Sequence, residues 1–199
     1  MRARALVPRA LRLRASVQLA GWRSAALRRR LASMAADTRP ILVGPWVGEV
    51  GFEVLYWVPF VRWAAHEFQI DPARLVAISR GGTSSWYRPF AGRYHEVFDY
   101  VTRDEFRRYH DDRVRTTGEQ KQTRTTAFER ELLDRVARAE GITDVLLLHP
   151  SAMYTVLNPY WWRHLDERWV QRHARYEPLP PPDPPGWDAP RRPYVAVKF

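Results

Sequence analysis

Short apolar runs alternate with longer helical stretches from residue 40 onwards, and this alternation constrains the fold more than any other feature of the chain. The runs predicted as strands cover residues 41–46, 75–79, 97–101 and 144–150. Helices are predicted over residues 52–68, from 104 onwards, over 127–140 and from 151 to 159. This order predicts an α/β fold, an open, parallel, Rossmann-like sheet with flanking helices and right-handed crossovers.

Local signals refine three of these elements. Pro59 should kink the first of the helices, since a proline inside a helix cannot donate a backbone hydrogen bond. Gly141 should end the helix over 127–140, because glycine commonly follows a helix in the left-handed conformation. The apolar centre of residues 144–150 predicts a strand that is buried on both faces of the sheet.

The formal net charge of +10 is concentrated at the start of the chain. Residues 1–36 contain nine arginines and no acid, whereas the rest of the chain has 23 basic and 22 acidic residues. A balanced body offers no extended phosphate-binding face, so nucleic acid is not predicted as a partner. No apolar run is long enough to span a membrane, which predicts a soluble protein with at most peripheral membrane contact. The absence of cysteine excludes disulfides, thiolate metal sites and cysteine nucleophiles.

Four segments are predicted along the chain. Residues 1–36 have the composition of a mitochondrial transit peptide, or of upstream DNA translated before a natural start at Met34. In both cases we expect this leader to be disordered or loosely helical and outside the fold, with a cytoplasmic location or, for a genuine transit peptide, a mitochondrial one. Residues 40–177 should form the domain. Residues 178–192 read as a proline-rich connector, and residues 193–199 as the first strand of a truncated second domain.

The stretch GPWVGEVGFE, residues 44–53, should form the turn between the first strand and the first of these helices. Its glycine spacing differs from the G-x-G-x-x-G of a dinucleotide site, and no Walker loop occurs, so no cofactor is predicted. The turn carries Glu49 and Glu53 to the carboxyl edge of the sheet, where open α/β folds bind ligands. Both are candidate catalytic carboxylates, with Gly48 and Gly51 as neighbouring binding residues. The alternative is that these acids only cap the helix.

Two other strand ends supply candidate binding residues. Arg80 could hold a phosphate or carboxylate with two hydrogen bonds, and Gly81 and Gly82 would let a ligand approach the backbone closely. His149 could accept a proton or bind an anion. The alternatives are structural: a salt bridge from Arg80 to a glutamate of the turn, and a hydrogen-bonded core histidine. The six histidines lack metal-ligand spacing, so no metal site is predicted.

The segment GEVGFEVLYWVPFVRW, residues 48–63, resembles the opening loop and helix of heptosyltransferase-like GT-B glycosyltransferases. The segments ISRGGTSSWY, LLHPSAMY and YVAVKF are also similar to uncharacterised bacterial glycosyltransferase-like proteins, so the resemblance spans residues 40–199. In those enzymes an acid in this loop faces the acceptor hydroxyl as general base. That acid directly follows the second glycine, where Phe52 stands here, so in this chain the role would have to move to Glu49 or Glu53. The LLHPSAMY segment adds Tyr154 to the candidate substrate-binding residues.

The resemblance implies the N-terminal, acceptor-side half of a GT-B enzyme that transfers a sugar from a nucleotide-sugar donor to an acceptor. In such enzymes the C-terminal domain holds most of the donor, so we expect a fragment with little activity alone. The alternative is a non-catalytic α/β binding or interaction module. The enzyme requires Glu49, Arg80 and His149 to converge on one open pocket at the carboxyl edge of the sheet.

Overall fold

The computed structural model describes residues 9–117, 121–162 and 164–178. The helices are α1 (Arg9–Ala36), α2 (Val50–Phe52), α3 (Val58–Glu67), α4 (Ser84–Tyr87), α5 (Arg103–Thr117), α6 (Ala127–Ala139), α7 (Ser151–Trp161) and α8 (Glu167–Gln171). The strands are β1 (Ile41–Val43), β2 (Leu75–Ser79), β3 (Arg93–Glu96) and β4 (Leu146–Leu148). A π-helical turn, Glu53–Trp57, joins α2 to α3.

The described strands form one parallel sheet in the order β3-β2-β1-β4. Ile41 of the central β1 pairs with Leu75 of β2 on one side and with Leu146 of β4 on the other. β3 continues the sheet beyond β2, where Val76 pairs with Arg93. All four carboxyl ends therefore meet at one edge. The predicted α/β fold, a parallel sheet of the open, Rossmann-like kind with flanking helices, is confirmed.

The sheet separates two apolar layers, because successive side chains of a strand point to opposite faces. Ile41 and Val43 of β1 pack into the first layer, with α1, α3, α7 and α8. Leu42 packs into the second layer, with α5 and α6. In β2, Ala77 likewise belongs to the first layer and Ile78 to the second.

Two predicted elements are confirmed closely. β2 covers residues 75–79 as predicted. α6 begins at a capping box, in which the Thr126 hydroxyl accepts from the Glu129 amide and the Glu129 carboxylate accepts from the Thr126 amide. It is followed by Gly141 at φ +66°, the left-handed conformation that the sequence predicts.

The two outer strands differ from their predictions. The third strand is Arg93–Glu96 rather than 97–101, and Val97–Asp99 forms a 3₁₀ turn. The side chains of this edge strand are all partly buried and mostly polar, so the apolar signal of a buried strand is missing. β4 is the other edge of the described sheet, and Leu146 and Leu147 are only half-buried, so the prediction of burial on both faces is wrong.

The two helices that contain proline also depart from simple expectations. Before Pro59 the helix widens into the π turn, in which the Val58 amide donates to the Glu53 carbonyl oxygen. The structure thus has an irregular turn directly before Pro59, where a kink was predicted. α7 continues through the buried Pro159 to Trp161, so the predicted end at this proline is wrong. Apolar packing around the last turn of α7 compensates for the one hydrogen bond that Pro159 cannot donate.

α1 packs on the domain, which corrects the prediction that residues 1–36 lie outside the fold. Leu27, Leu31 and Met34 are buried in the first apolar layer. Their spacing of four and three residues is that of one face of a helix. The high arginine content of the leader concealed this apolar face in the sequence.

Polar contacts also fasten α1 to the domain. The Ser24 hydroxyl lies 2.7 Å from Nε2 of the buried His173, whose Nδ1 lies 2.8 Å from the Trp169 carbonyl oxygen. A carbonyl can only accept, so Nδ1 carries the proton and Nε2 accepts from Ser24. At the other end of α1, the Arg74 guanidinium donates to the Met34 carbonyl oxygen at 2.7 Å. These bonds satisfy buried polar groups at both ends of the docked part of the helix.

The predicted connector, except its first residue, and the predicted strand over 193–199 lie outside the described residues. Within the described residues, no helix has both the length and the apolar character needed to cross a membrane.

Candidate functional site

The loop that follows β1 lies over the carboxyl edge of the sheet. The Gly44 amide donates to the Leu148 carbonyl oxygen at 2.9 Å, and the Trp46 amide donates to the Ile78 carbonyl oxygen at 2.9 Å. The chain therefore crosses between the ends of β4 and β2. Gly44 has φ +122°, and a Cβ there would lie 2.5 Å from the Ile78 carbonyl oxygen, so only glycine fits.

A cleft of about 390 Å³ opens beside this loop. Its lining residues are Gly48, Glu49, Phe52, Lys121, Thr123, Tyr154, Asn158 and Trp162. Tyr154, Asn158 and Trp162 are spaced by four, so successive turns at the end of α7 present one face to the cleft. The cleft combines a carboxylate, an ammonium group, an amide and a hydroxyl with three aromatic rings.

Stacked aromatic rings form the wall behind the cleft. Tyr154 stacks on Trp46 with 6.4 Å between ring centroids, and Trp46 stacks on Trp57 at 5.9 Å. The Lys121 ammonium lies 5.0 Å from the centroid of Trp161. Burial raises the pKa of Tyr154 above its usual range, with a further contribution from the charge of Glu49, so Tyr154 presents a neutral phenol.

Glu49 is exposed in the cleft and is not used as a helix cap. It occupies the N-cap position of α2, but its side chain makes no capping hydrogen bond. No hydrogen bond or ion pair joins its carboxylate to another residue in the described part of the chain. The capping alternative for Glu49 is therefore not observed, and the carboxylate is available to a ligand.

Glu53 occupies a different position, fully buried below the loop. Its Oε1 accepts hydrogen bonds from the hydroxyls of Ser79, of Tyr87 at 2.7 Å and of Thr83 at 3.3 Å. Its Oε2 is buried and has no partner among the described residues. Burial raises the pKa of Glu53 to about 7 against the opposing effect of the three hydroxyls and the charge of Arg80. Glu53 does not line the cleft.

Arg80 contacts the loop, but not through either glutamate. Its guanidinium donates to the Gly48 carbonyl oxygen and lies 5.5 Å from the ring centroid of Phe106. The predicted alternative, a salt bridge from Arg80 to Glu49 or Glu53, is absent among the described contacts. Arg80 therefore supports the backbone next to Glu49 and does not itself line the cleft.

The glycine pair after Arg80 binds a side chain of the protein itself. Gly81 and Gly82 have φ +77° and +74°, and their amides donate to the two carboxylate oxygens of Glu96 at 3.0 and 2.9 Å. Two successive amides that face one carboxylate resemble the anion-binding turns found at many ligand sites. Here the anion is internal, so this turn joins the end of β2 to β3.

His149 lies behind the loop rather than in the cleft. Its Nδ1 accepts from the Ser151 amide at 3.1 Å, and its Nε2 faces Oε1 of Glu129 at 3.5 Å. Glu129 also accepts from Tyr109 at 3.0 Å and from Arg113 at 3.1 Å. Burial alone would raise the pKa of Glu129, but the contact with His149, the capping amide at the start of α6 and the charge of Arg113 lower it to about 2. In this buried cluster of His149, Glu129, Tyr109 and Arg113, the carboxyl group of Glu129 is therefore ionised.

Gln122 connects the buried cluster to the glycine loop. Its Nε2 donates to Glu129 at 2.7 Å and to the Pro45 carbonyl oxygen at 2.8 Å. Its Oε1 accepts from the Val47 amide at 3.1 Å. The cluster thus fixes the backbone that positions Glu49, and His149 acts on the site only through this support.

Of the predicted site residues, the structure brings Gly48, Glu49 and Tyr154 together in the cleft. The other predicted residues, Gly51, Glu53, Arg80, Gly81, Gly82 and His149, do not line it. The predicted convergence of Glu49, Arg80 and His149 on one pocket is therefore wrong, because Arg80 and His149 lie behind the loop. Lys121, Thr123, Asn158 and Trp162 also line the cleft and were not predicted from the sequence. The four-residue spacing from Tyr154 to Trp162 was a signal for two of them, whereas Lys121 and Thr123 lie in an irregular segment without periodicity.

Comparisons of the chain with protein-family models, with curated proteins and with solved structures gave no significant match. No group of three or more His, Asp or Glu side chains that could hold a metal ion occurs among the described residues.

Proposed function

We propose that the cleft binds a sugar-type acceptor and that the chain is the acceptor-side domain of a GT-B glycosyltransferase. The observation that carries the proposal is Glu49, an exposed carboxylate that has no partner among the described residues and lies in a cleft at the carboxyl edge of a parallel sheet. Open α/β folds bind their ligands at this edge. The resemblance of residues 48–63 to heptosyltransferase-like enzymes supports a general base in this loop, although the family's acid stands where this chain has Phe52.

The other cleft residues suit a polyhydroxylated ligand. The exposed ring of Trp162 can stack on the apolar face of a sugar ring, as aromatic faces pack on flat C–H surfaces. The amide of Asn158 can donate to one hydroxyl and accept from another. Lys121 would attract a carboxylate or phosphate on the sugar, which favours an acidic or phosphorylated acceptor.

In the proposed reaction, Glu49 takes the proton of the acceptor hydroxyl as that oxygen bonds to the anomeric carbon of the donor. The bond from the anomeric carbon to the nucleotide diphosphate breaks, and the diphosphate leaves with the electron pair. The described residues supply the acceptor side of this step. The donor would be held by a second domain.

Equilibrium titration with a panel of mono- and disaccharides, uronic acids and sugar phosphates tests the proposal. We expect at least one to bind with a dissociation constant on the order of 1 mM, typical for a ligand of this size. Glu49→Gln and Trp162→Ala should each weaken binding about fivefold, equivalent to ~1 kcal/mol. Glu131→Gln, on the exposed surface of α6, is the matched control. Absence of binding across the panel, or equal affinity in all variants, would refute the proposal.

The second candidate is a binding module without catalysis. The observation that favours it is that Arg80 and His149 do not join Glu49 in the cleft, and that Glu53, Gly81, Gly82 and His149 are all engaged in internal contacts. Incubating the chain with a bound saccharide and a set of nucleotide sugars distinguishes the two. Slow transfer that disappears in Glu49→Gln supports the glycosyltransferase, and saturable binding without transfer from any donor supports the module.

A further inference from the structure

α1 carries more apolar surface than the domain covers. Leu13, Val17, Ala20, Ser24, Leu27, Leu31 and Met34 are spaced alternately by four and three residues and form one stripe. The stripe is buried from Ala20 onwards. Leu13 and Val17, at its other end, are 44% and 41% exposed. The N-terminal half of α1 thus presents apolar side chains that the described domain does not fully cover.

A second exposed apolar pair lies on the side of α1 that faces away from the stripe. Leu19 and Trp22 are three residues apart, so they are neighbours on the helix surface. They are 47% and 78% exposed. An exposed tryptophan beside an exposed leucine on a helix that is otherwise docked requires an explanation beyond packing, since soluble surfaces seldom group large apolar side chains.

The charge around this pair has one sign. Arg14, Arg23 and Arg29 are exposed, and none of them forms an ion pair with a described residue. Residues 1–36 hold nine arginines and no acid, and the first acid of the chain is Asp37. The surface of α1 is therefore both basic and apolar, and its partner must be anionic and able to receive an indole ring.

We propose that the exposed side of α1 binds an anionic lipid surface, with Trp22 and Leu19 at the level of the headgroups and the arginines on the lipid phosphates. Interfacial helices combine basic residues with Trp and Leu in this way. Nucleic acid accounts for the arginines but leaves the exposed apolar pair unexplained. Pairing with a second copy of α1 brings two acid-free, arginine-rich helices together, which is opposed by charge repulsion.

Co-sedimentation of the full chain with vesicles tests this assignment. Vesicles of phosphatidylcholine with about one third phosphatidylglycerol are compared with pure phosphatidylcholine, at about 0.1 M and again at higher salt. We expect binding to the anionic vesicles only, with a decrease as salt rises. Trp22→Ser should weaken binding about tenfold through loss of its apolar burial. Arg23→Gln should weaken it about fivefold.

Two control variants separate this surface from general effects. Trp162→Ser removes a similarly exposed tryptophan from the cleft, and Arg168→Gln removes an exposed arginine from α8; neither should change vesicle binding. Because Trp22 is exposed, its variant should keep the thermal stability of the parent chain. Equal binding to neutral vesicles, no binding to anionic ones, or binding that is indifferent to Trp22→Ser would overturn the proposal. So would tighter binding to a DNA duplex that depends on Arg23 but not on Trp22, or a dimer in solution that Trp22→Ser dissociates.

Discussion

The buried carboxyl of Glu53 should make this protein less stable as the pH rises. Its pKa is about 7 in the folded chain, because burial disfavours the ionised form, compared with a reference value of 4.5. Between these two values the folded state holds a proton that the unfolded state has released. The contribution is fully favourable below the lower value and is lost as the pH rises through the higher one.

The magnitude follows from the difference between the two pKa values. Each unit of difference corresponds to ~1.4 kcal/mol, so ionising Glu53 in the folded state costs about 3 kcal/mol at high pH. Glu53→Gln keeps the shape of the side chain and an acceptor for the hydroxyls of Ser79, Thr83 and Tyr87, but cannot ionise. The variant should therefore match the parent chain near about pH 4 and be more stable by about 2 to 3 kcal/mol near about pH 8.

Urea unfolding at a series of pH values, monitored by tryptophan fluorescence, measures this difference. Comparing the parent chain with Glu53→Gln removes the contributions of all other titrating groups, including Glu129 and His173, which are common to both. Asp134→Asn, on the exposed face of α6, is the matched control and should leave the pH profile of the unfolding free energy unchanged. A constant difference between Glu53→Gln and the parent chain across the pH range would refute the argument that the buried carboxyl is protonated near neutrality.

Two further predictions concern the docking of α1 and the turn after β1. Ser24→Ala removes the hydroxyl bonded to His173, so it should destabilise the chain by about 1 kcal/mol and speed amide hydrogen exchange in α1. Ser33→Ala, on the exposed side of α1, is the control and should change neither the stability nor the exchange rate. Equal exchange rates in the two variants would contradict the docking role of Ser24. Burial lowers the pKa of His173, so the unfolded state takes up a proton at this histidine more readily than the folded state as the pH falls through about 6.5. The docking of α1 on the domain should therefore weaken on acidification. Gly44→Ala should lower the free energy of unfolding by more than about 2 kcal/mol because its Cβ meets a backbone carbonyl oxygen, whereas Gly51→Ala, with free space around the new methyl group, should be neutral or stabilising by up to about 1 kcal/mol. Similar effects at both glycines, measured by chemical denaturation, would exclude the steric explanation.

The central strands could be predicted from the sequence because buried segments consist of apolar or small residues. β2 is buried along its whole length, and its five apolar or small side chains predict a strand without further information. β3 lies at an edge of the sheet, so its side chains are mostly polar and lack the apolar pattern that predicts a buried strand. The prediction for α1 was wrong for another reason: its composition suggested a leader outside the fold, and the spacing of its apolar residues, which is that of a packed helix face, was not used.

The candidate site was predictable only where one short segment determines the geometry. The glycine turn places Glu49 at the carboxyl edge of the sheet, and this could be read from the chain alone. The different environments of Glu49 and Glu53 could not, because they depend on hydroxyls that come from β2, α4 and the turn between them. The support of the loop by Gln122 and Glu129 likewise joins residues more than seventy positions apart in the chain.

The most direct test of the account is to locate bound saccharide by NMR, using the indole N–H signals of the tryptophans. The signal of Trp162, assigned by its loss in Trp162→Phe, should shift on addition of a saccharide that binds, and the shift should be smaller in Glu49→Gln. The signal of Trp22, on α1, should not move. Saturable shifts elsewhere with Trp162 unmoved, or no shift with any sugar, uronic acid or sugar phosphate, would contradict the claim that the Glu49 cleft is a sugar-binding site.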